Sequence, residues 1–300
     1  MNQQYDETTP VAIGMPVYNG ERYLEDTLVS VLNQTHIAFS LFIADNASTD
    51  RTEEICRDYA SRDARIHYIR NPVNLGASKN YTVCFQPATS PYFRWQNADD
   101  PIEPTLIEKC LQVLEAQPDA VLAYGKTRLI DEHGHKIEDY DDGLQLSASS
   151  PSTRFIDCIR AIGLQNVMYG LIRRDALAHT ALLGNYVAAD INLVVELSLY
   201  GKFVEVPERL FNRRMHPQAS SWVRSDAERQ RNFWDPSKRK MVLQTWRSLS
   251  EYYKAVYRAP IPLNEKRILA YFLLKRAYWR KGPMKDELVD VIKYGLLKRS

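Results

Sequence analysis

In its first hundred residues the chain alternates short, continuously apolar runs with segments whose apolar residues recur at helical spacing. Val11-Ala12-Ile13-Gly14-Met15-Pro16-Val17 is apolar on both faces, as a strand covered on both sides of a parallel sheet must be. It ends in the turn Tyr18-Asn19-Gly20. Leu24, Leu28, Val31 and Leu32 then predict a helix packed on the sheet. A second strand, Leu41 to Ala44, runs into Asp45-Asn46-Ala47-Ser48-Thr49-Asp50. There Asp50 and Glu53 predict an N-cap pair for a helix carrying Ile55, Cys56 and Tyr59. Arg65 to Ile69 and Tyr92 to Trp95 read as the third and fourth strands, with a helix after Gly76 between them. This order predicts an α/β fold, a mostly parallel sheet flanked by helices.

In such sheets ligands bind beyond the carboxyl ends of the strands. Three of these ends are polar: Tyr18-Asn19, Asp45-Asn46 and Asn97-Ala98-Asp99-Asp100. They predict a site on one rim. No glycine fingerprint of dinucleotide folds follows the first strand, and there is no GxxxxGK[ST] loop, which argues against a dehydrogenase or a P-loop enzyme. The phosphates of a bound nucleotide then need another partner, and a metal ion is the expected one.

The second half is less regular. Val121 to Ile130 predicts a long strand that turns at Asp131-Glu132-His133-Gly134-His135 into Lys136-Ile137. His133 and His135 have the spacing of a two-ligand metal site, but the polar turn predicts a simple hairpin. Asp139 to Ser152 reads as a loop whose acidic residues, Asp139 to Asp142, face solvent. A helix carries Phe155, Ile156, Ile159 and Ile162; after Val167 to Ile172 come a helix from about Asp190 to Tyr200 and a strand from Phe203 to Val206. Gln218 to Asn232 reads equally as a lid or a linker.

Charge divides the chain. Residues 223–300 hold 19 Lys and Arg against 8 Asp and Glu, and the pattern there is helical with many aromatics. The first 222 residues hold 20 against 29. A boundary is therefore expected near Trp222, between a domain 1–222 and a basic extension 223–300. Four readings of the extension stay open: contact with an anionic membrane face, a homodimer surface, helices packed on the first domain, or a solvated Lys-rich face. The four cysteines are scattered without a CxxC pair and read as reduced packing residues. No apolar run reaches membrane-span length, and the N-terminus does not resemble a signal peptide, so a soluble intracellular protein is expected.

At Pro16-Val17-Tyr18-Asn19, Asp45 to Asp50, Asn74-Leu75-Gly76-Ala77-Ser78-Lys79-Asn80, Asn97 to Asp100 and Ala189-Asp190 to His216, the chain resembles family-2 glycosyltransferases of GT-A fold. The resemblance runs from residue 10 to about 220. It implies transfer of a sugar, with inversion, from a nucleotide-sugar donor to an acceptor hydroxyl, assisted by Mn²⁺ or Mg²⁺. Polysaccharide or other glycan synthesis in the cytoplasm is the setting it implies, with a saccharide or lipid-linked saccharide as acceptor and no nucleic-acid partner; the basic extension would hold such an enzyme at the inner membrane face.

The implied roles have separate physical reasons. A departing diphosphate needs a cation or fixed donors, and hard divalent cations take oxygen ligands. Asp99 is the expected metal ligand, Asp100 a second ligand or orienting neighbour, and His216 the late residue that reaches back to metal or diphosphate. Asn97 stands where the family more often has Asp; it and Ala98 complete the donor loop. Arg213 and Arg214 are expected on the diphosphate, since a guanidinium fork suits phosphate oxygens. Tyr18 is expected to stack on the base beside Pro16, Asp45 or Asn46 to accept from it, and Lys79 to lie near base and phosphate. UDP is favoured, with GDP and dTDP open. Asp190 is the expected general base, with Ala189 where the family has Glu. Two rival readings remain, a non-catalytic GT-A module that binds nucleotide or glycan and a nucleotidyltransferase.

Overall fold

A computed structural model describes residues 9–217, 219 and 243–297. The elements run β1 (Val11–Val17), α1 (Leu24–Leu32), β2 (Phe39–Asp45), α2 (Thr52–Arg62), β3 (Ile66–Arg70), α3 (Ala77–Phe85), β4 (Tyr92–Trp95), α4 (Leu106–Ala116), β5 (Ala120–Ile130) and β6 (Lys136–Tyr140). There follow α5 (Pro151–Ala161), a 3₁₀ turn (Asn166–Tyr169), β7 (Leu171–Arg173), α6 (Arg174–Ala178), α7 (Ala189–Leu197), β8 (Lys202–Arg214), α8 (Gln244–Arg258), α9 (Leu263–Trp279) and α10 (Lys281–Leu297).

The strands join in the order β3-β2-β1-β4-β7-β5-β6, with β8 beside β5. β1 to β4 are mutually parallel, as the alternation predicts. The short β7 is antiparallel to β4 and to β5, so the second half of the sheet is mixed. Side chains alternate across the sheet and split the core in two. Val11, Ile13 and Met15 point to the layer of α1, α2 and α4, while Ala12, Phe93 and Trp95 belong to the layer of α3, α5 and α7.

Three expectations change. Asp50 is not an N-cap: Arg51 precedes α2, and Asp50 Oδ1 accepts from Thr52 N at 3.0 Å while Oδ2 accepts from Glu21 N at 3.1 Å. The strand expected over Phe203–Val206 is β8, thirteen residues long. Its register against β5 shifts around Pro207, which cannot donate to a ladder, and it recovers to pair Leu129 with Arg213 and Ile130 with Arg214. Asp142, expected in solvent, is buried and accepts from Thr127 Oγ1 at 2.8 Å.

The four cysteines are free and buried, and His133-Gly134-His135 forms a turn in which Gly134 has φ 87° and Asp131 accepts from both histidine amides. The expected boundary at Trp222, and Gln218–Asn232 apart from Ala219, lie outside the described residues. α8 and α9 pack on the body: Tyr252, Val256, Leu269 and Leu273 join the same buried layer as Phe155 and Leu193. Asn192 and Ser248 clasp each other across α7 and α8, and Arg258 pairs with the buried Glu196. Glu265 of α9 accepts from Ser152 N at 2.8 Å at the start of α5. Among the described residues no helix is long and apolar enough to cross a membrane.

Candidate active site

The turns after β1 and β2 are stitched to each other. Asn19 N donates to Ser48 Oγ at 2.9 Å, Thr49 N returns a bond to Asn19 Oδ1 at 2.9 Å, and Gly20 N donates to Thr52 Oγ1 at 2.8 Å. Ser48, Thr49 and Asp50 therefore hold the rim together. Asn19 and Ala47 sit in the left-handed region that such tight turns require (φ 51° and 59°). On this frame Tyr18 is left half-exposed at the rim, with Pro16 partly covered beneath it.

Asp45 and Asn46, the expected base-recognition pair, are turned inward. Asp45 Oδ1 accepts from Ser48 N at 2.8 Å, and Oδ2 from Tyr68 at 2.7 Å and from Arg70. Burial would push the Asp45 carboxyl up, but the bonds from Ser48, Tyr68 and Arg70 outweigh it and hold it below its ordinary value. Asn46 is spent in an amide network. Its Oδ1 accepts from Leu75 N at 2.8 Å and Asn71 Nδ2 at 3.2 Å, and its Nδ2 donates to Asn74 Oδ1 at 2.8 Å. Asn80 closes the network on Ala44 O at 2.8 Å. The Asn74–Asn80 motif thus anchors α3 to the strand ends, while Lys79 in the first turn of α3 is exposed.

The acidic loop after β4 is braced from below. Gln96 Nε2 donates to the carbonyls of Asn97 (2.9 Å) and Asp100 (2.5 Å). Arg94 holds Gln96 through a 2.8 Å bond and reaches Tyr169 O at 2.9 Å. Arg94 is fully buried, and that burial lowers its pKa to about 10. Asn97 bridges Tyr81, from which it accepts at 2.7 Å, and Asp100 Oδ2, to which it donates at 2.8 Å. Asp100 faces into the fold, where burial and then the charge of Asp99 push its carboxyl up to about 7. Both its oxygens are engaged, Oδ2 by Asn97 and Oδ1 by the amide of Arg214.

Asp99 stays accessible beside Ala98. Its Oδ2 lies 2.9 Å from His216 Nε2, just past the end of β8. His216 is buried against Tyr23 (ring centroids 4.7 Å apart), and its Nδ1 finds no hydrogen-bond partner among the described residues. The two arginines before it part company. Arg214, expected on the diphosphate, is buried behind the acidic loop: it bonds Asp99 O at 2.9 Å and Asp26 Oδ2 at 3.2 Å, with its guanidinium 4.7 Å above the Tyr23 ring. Arg213 is half-buried and donates to Leu164 O (2.7 Å) and Asn166 Oδ1 (2.6 Å). Among the described residues no three His, Cys, Asp or Glu side chains converge as a metal cage.

Asp190 lies in the first turn of α7, where Oδ1 accepts from Ile191 N at 2.9 Å; the N-cap position itself is Ala188, at φ 65°. The loop before it is held by Ser78 Oγ donating to Gly184 O at 2.7 Å and by Val187 N donating to Gln244 Oε1 at 3.1 Å. α3 is thus a shared wall, bonded to Asn97 through Tyr81 and to the Asp190 loop through Ser78. The sequence gives no sign of the roles of Arg94, Gln96, Tyr81 and Asn166, because no local pattern marks a buried polar brace.

A family model described as Glycosyl transferase family 2 matches residues 12–164. The putative glycosyltransferase EpsE of Bacillus subtilis (strain 168) is 28% identical over 266 residues, 88% of this chain and 88% of EpsE. An uncharacterized glycosyltransferase, MJ1057 of Methanocaldococcus jannaschii, is 32% identical over 43% of this chain. The chain spans about half the length of several curated relatives it matches, 46% for MJ1057 and 51% for an uncharacterized glycosyltransferase of Haemophilus influenzae. The S. aureus TarS 1–349 complex with UDP-GlcNAc superposes with TM-score 0.65 at 14% identity, over 90% of this chain and 74% of that one. Mannosyltransferase PcManGT from Pyrobaculum calidifontis, in complex with GDP-Man and Mn²⁺, gives TM-score 0.53 at 14% identity, over 98% and 90%. These two likenesses establish the shared GT-A fold. With half its length inside the family model, and three polar strand ends on one rim, the chain belongs to glycosyl transferase family 2.

Proposed function

We propose that this chain transfers a glycosyl group, with inversion, from a nucleoside-diphosphate sugar to an acceptor hydroxyl during polysaccharide or other glycan assembly in the cytoplasm. The observation that carries the reading is the approach of Asp99 and His216 at the strand-end rim. Their 2.9 Å separation suits a divalent cation. Without a cation Nε2 donates to Asp99; among the described residues no partner at Nδ1 opposes moving the proton there, which would free the Nε2 lone pair for a cation. Two protein ligands are enough when phosphate oxygens and water fill the remaining positions.

A bound Mn²⁺ or Mg²⁺ would neutralise charge on the leaving diphosphate. The chain's own groups do the rest. Tyr18 offers a ring face to the base, and Arg213, held by Leu164 and Asn166, brings a guanidinium charge near Asp100. Asp100, held by Asn97 and Arg214 N, orients Asp99 from inside the fold. Asp190 takes the proton of the acceptor hydroxyl as oxygen attacks the anomeric carbon opposite the diphosphate. A base read by Asp45 or Asn46 needs the inward network to open, or else recognition passes to neighbouring backbone.

The complexes of TarS with UDP-GlcNAc and of PcManGT with GDP-Man support a nucleotide-sugar donor. UDP is the first choice, with GDP and dTDP as alternatives. Thermal shifts of wild type and Asp99→Ala with each donor, in Mn²⁺ or EDTA, test the reading, since a ligand selective for the native state raises the midpoint. A Mn²⁺-dependent shift with one donor, lost in Asp99→Ala, is expected. Asn97 and Ala189, which replace carboxylates of the family pattern, keep one rival in view: a module that binds the donor and never consumes it. Donor binding without nucleotide release, over a panel of saccharide and lipid-linked acceptors, would favour that rival.

A further inference from the structure

α9 is apolar on two sides. Leu269 and Leu273 are buried where the helix packs on α5 and α8. On the opposite side Ile268, Tyr271, Leu274 and Tyr278 follow one another at spacings of three and four, which places them in one row. No described residue covers this row: Tyr271 is 60% exposed, Leu274 62% and Tyr278 65%. Trp279 beside it is 69% exposed, and α10 adds the exposed Leu288 and Ile292. Single exposed apolar residues are ordinary, but a contiguous row marks a contact surface.

The frame of the row is basic. Arg267, Lys275, Arg280, Lys281, Lys285 and Lys293 are exposed on α9 and α10 or between them, against the exposed Asp286 and Asp290. Lys275 Nζ stands 4.5 Å over the Tyr271 ring and Lys281 Nζ 4.2 Å over the Tyr278 ring. Glu265, the acid in the first turn of α9, is already engaged by the start of α5. Aromatic rings beside flexible cations suit a boundary with a wet anionic layer above an apolar one. A second copy of this chain would instead bring the same positive charge against the face.

We propose that the outer face of α9, continued by α10, docks on an anionic lipid bilayer. Ile268, Tyr271, Leu274, Tyr278 and Trp279 enter the interfacial layer, and the surrounding Lys and Arg meet lipid phosphates. α9 packs on α8 and α8 on α7, so the docking face is joined through helix contacts to the helix that carries Asp190.

The test is flotation of the full chain with phosphatidylcholine vesicles, with and without phosphatidylglycerol. Wild type is expected to float with the anionic vesicles and to be released by salt. Lys275→Glu combined with Lys281→Glu should lower partitioning at least about five-fold for each charge removed. Tyr271→Ser, Leu274→Ser and Tyr278→Ser together should abolish flotation while the melting midpoint and the donor-induced shift stay at their wild-type values. Wild-type partitioning of this triple variant, or failure of wild type to float with either vesicle, overturns the proposal. So does a wild-type dimer in vesicle-free solution that the triple variant dissociates, because the face then belongs to a second copy.

Discussion

The backbone amide of Arg214 donates to Asp100 Oδ1 at 2.7 Å, and this bond joins the acidic loop after β4 to the last residue of β8. The partners are 114 residues apart in the chain. The bond lets the neighbours on either side, Asp99 and His216, meet across the gap. Asp100 therefore positions the pair, and the register of β8 on β5 decides whether His216 arrives.

Mn²⁺ binding should depend on both members of the pair. His216→Ala and Asp99→Ala are each expected to weaken Mn²⁺ by at least about ten-fold, a loss that even outer-shell partners of metal ligands produce. Isothermal titration of wild type and variants with Mn²⁺ and donor nucleotide measures it. Equal affinity in His216→Ala would remove the histidine from the metal site.

Asp190→Asn should lower turnover by about 10²–10⁴ while leaving donor affinity nearly unchanged, because it deletes the base and keeps the shape. Single-turnover transfer alongside donor titration separates the two quantities. Full turnover in the variant would mean that another group takes the proton.

Tyr18 is half-exposed, so Tyr18→Ala should leave the melting midpoint in place. Loss of base stacking, worth about 1–3 kcal/mol, should raise the donor Kd by roughly five-fold or more. Competition between a labelled nucleotide and unlabelled donor reads this directly. A fall in thermal stability instead would show that Tyr18 serves the fold.

Asp142 gives a pH signature. Burial pushes its carboxyl up to about 6 from 3.8, against the lowering effect of the Thr127 bond. A folded-state pKa above the unfolded one gives stability that is present below about 4 and lost as pH rises to about 6. Asp142→Asn removes this contribution, on the order of 2–3 kcal/mol, and keeps an acceptor for Thr127. Melting midpoints between pH 4 and 7 should therefore fall less steeply in the variant. Parallel curves for the two proteins would place the titration elsewhere.

The parallel half of the sheet was legible because its strands are buried on both faces, so the apolar runs at Val11–Val17 and Leu41–Ala44 are unbroken. β8 was legible only at its start. Past Pro207 it reads Glu-Arg-Leu-Phe-Asn-Arg-Arg, and its polar side chains find partners on distant elements: Asn212 donates to Glu103, Arg213 to Asn166 and Arg214 to Asp26. For the same reason Asp142 looked like a solvated loop residue: Thr127 and Asn166, which bury it, lie on other segments.

The strand–helix alternation, the polar strand ends and the family are readable from the chain because each depends on residues close together in it. How the polar groups are shared out depends on folding. It turned Asp45, Asn46 and Arg214 inward, made Asp100 a brace and left Asp99 with His216. A carboxylate or guanidinium has the same chemistry wherever it stands in the sequence. Its role follows from which desolvated neighbours satisfy its hydrogen bonds, and in this chain those neighbours come from β3, β8 and the turn after α5.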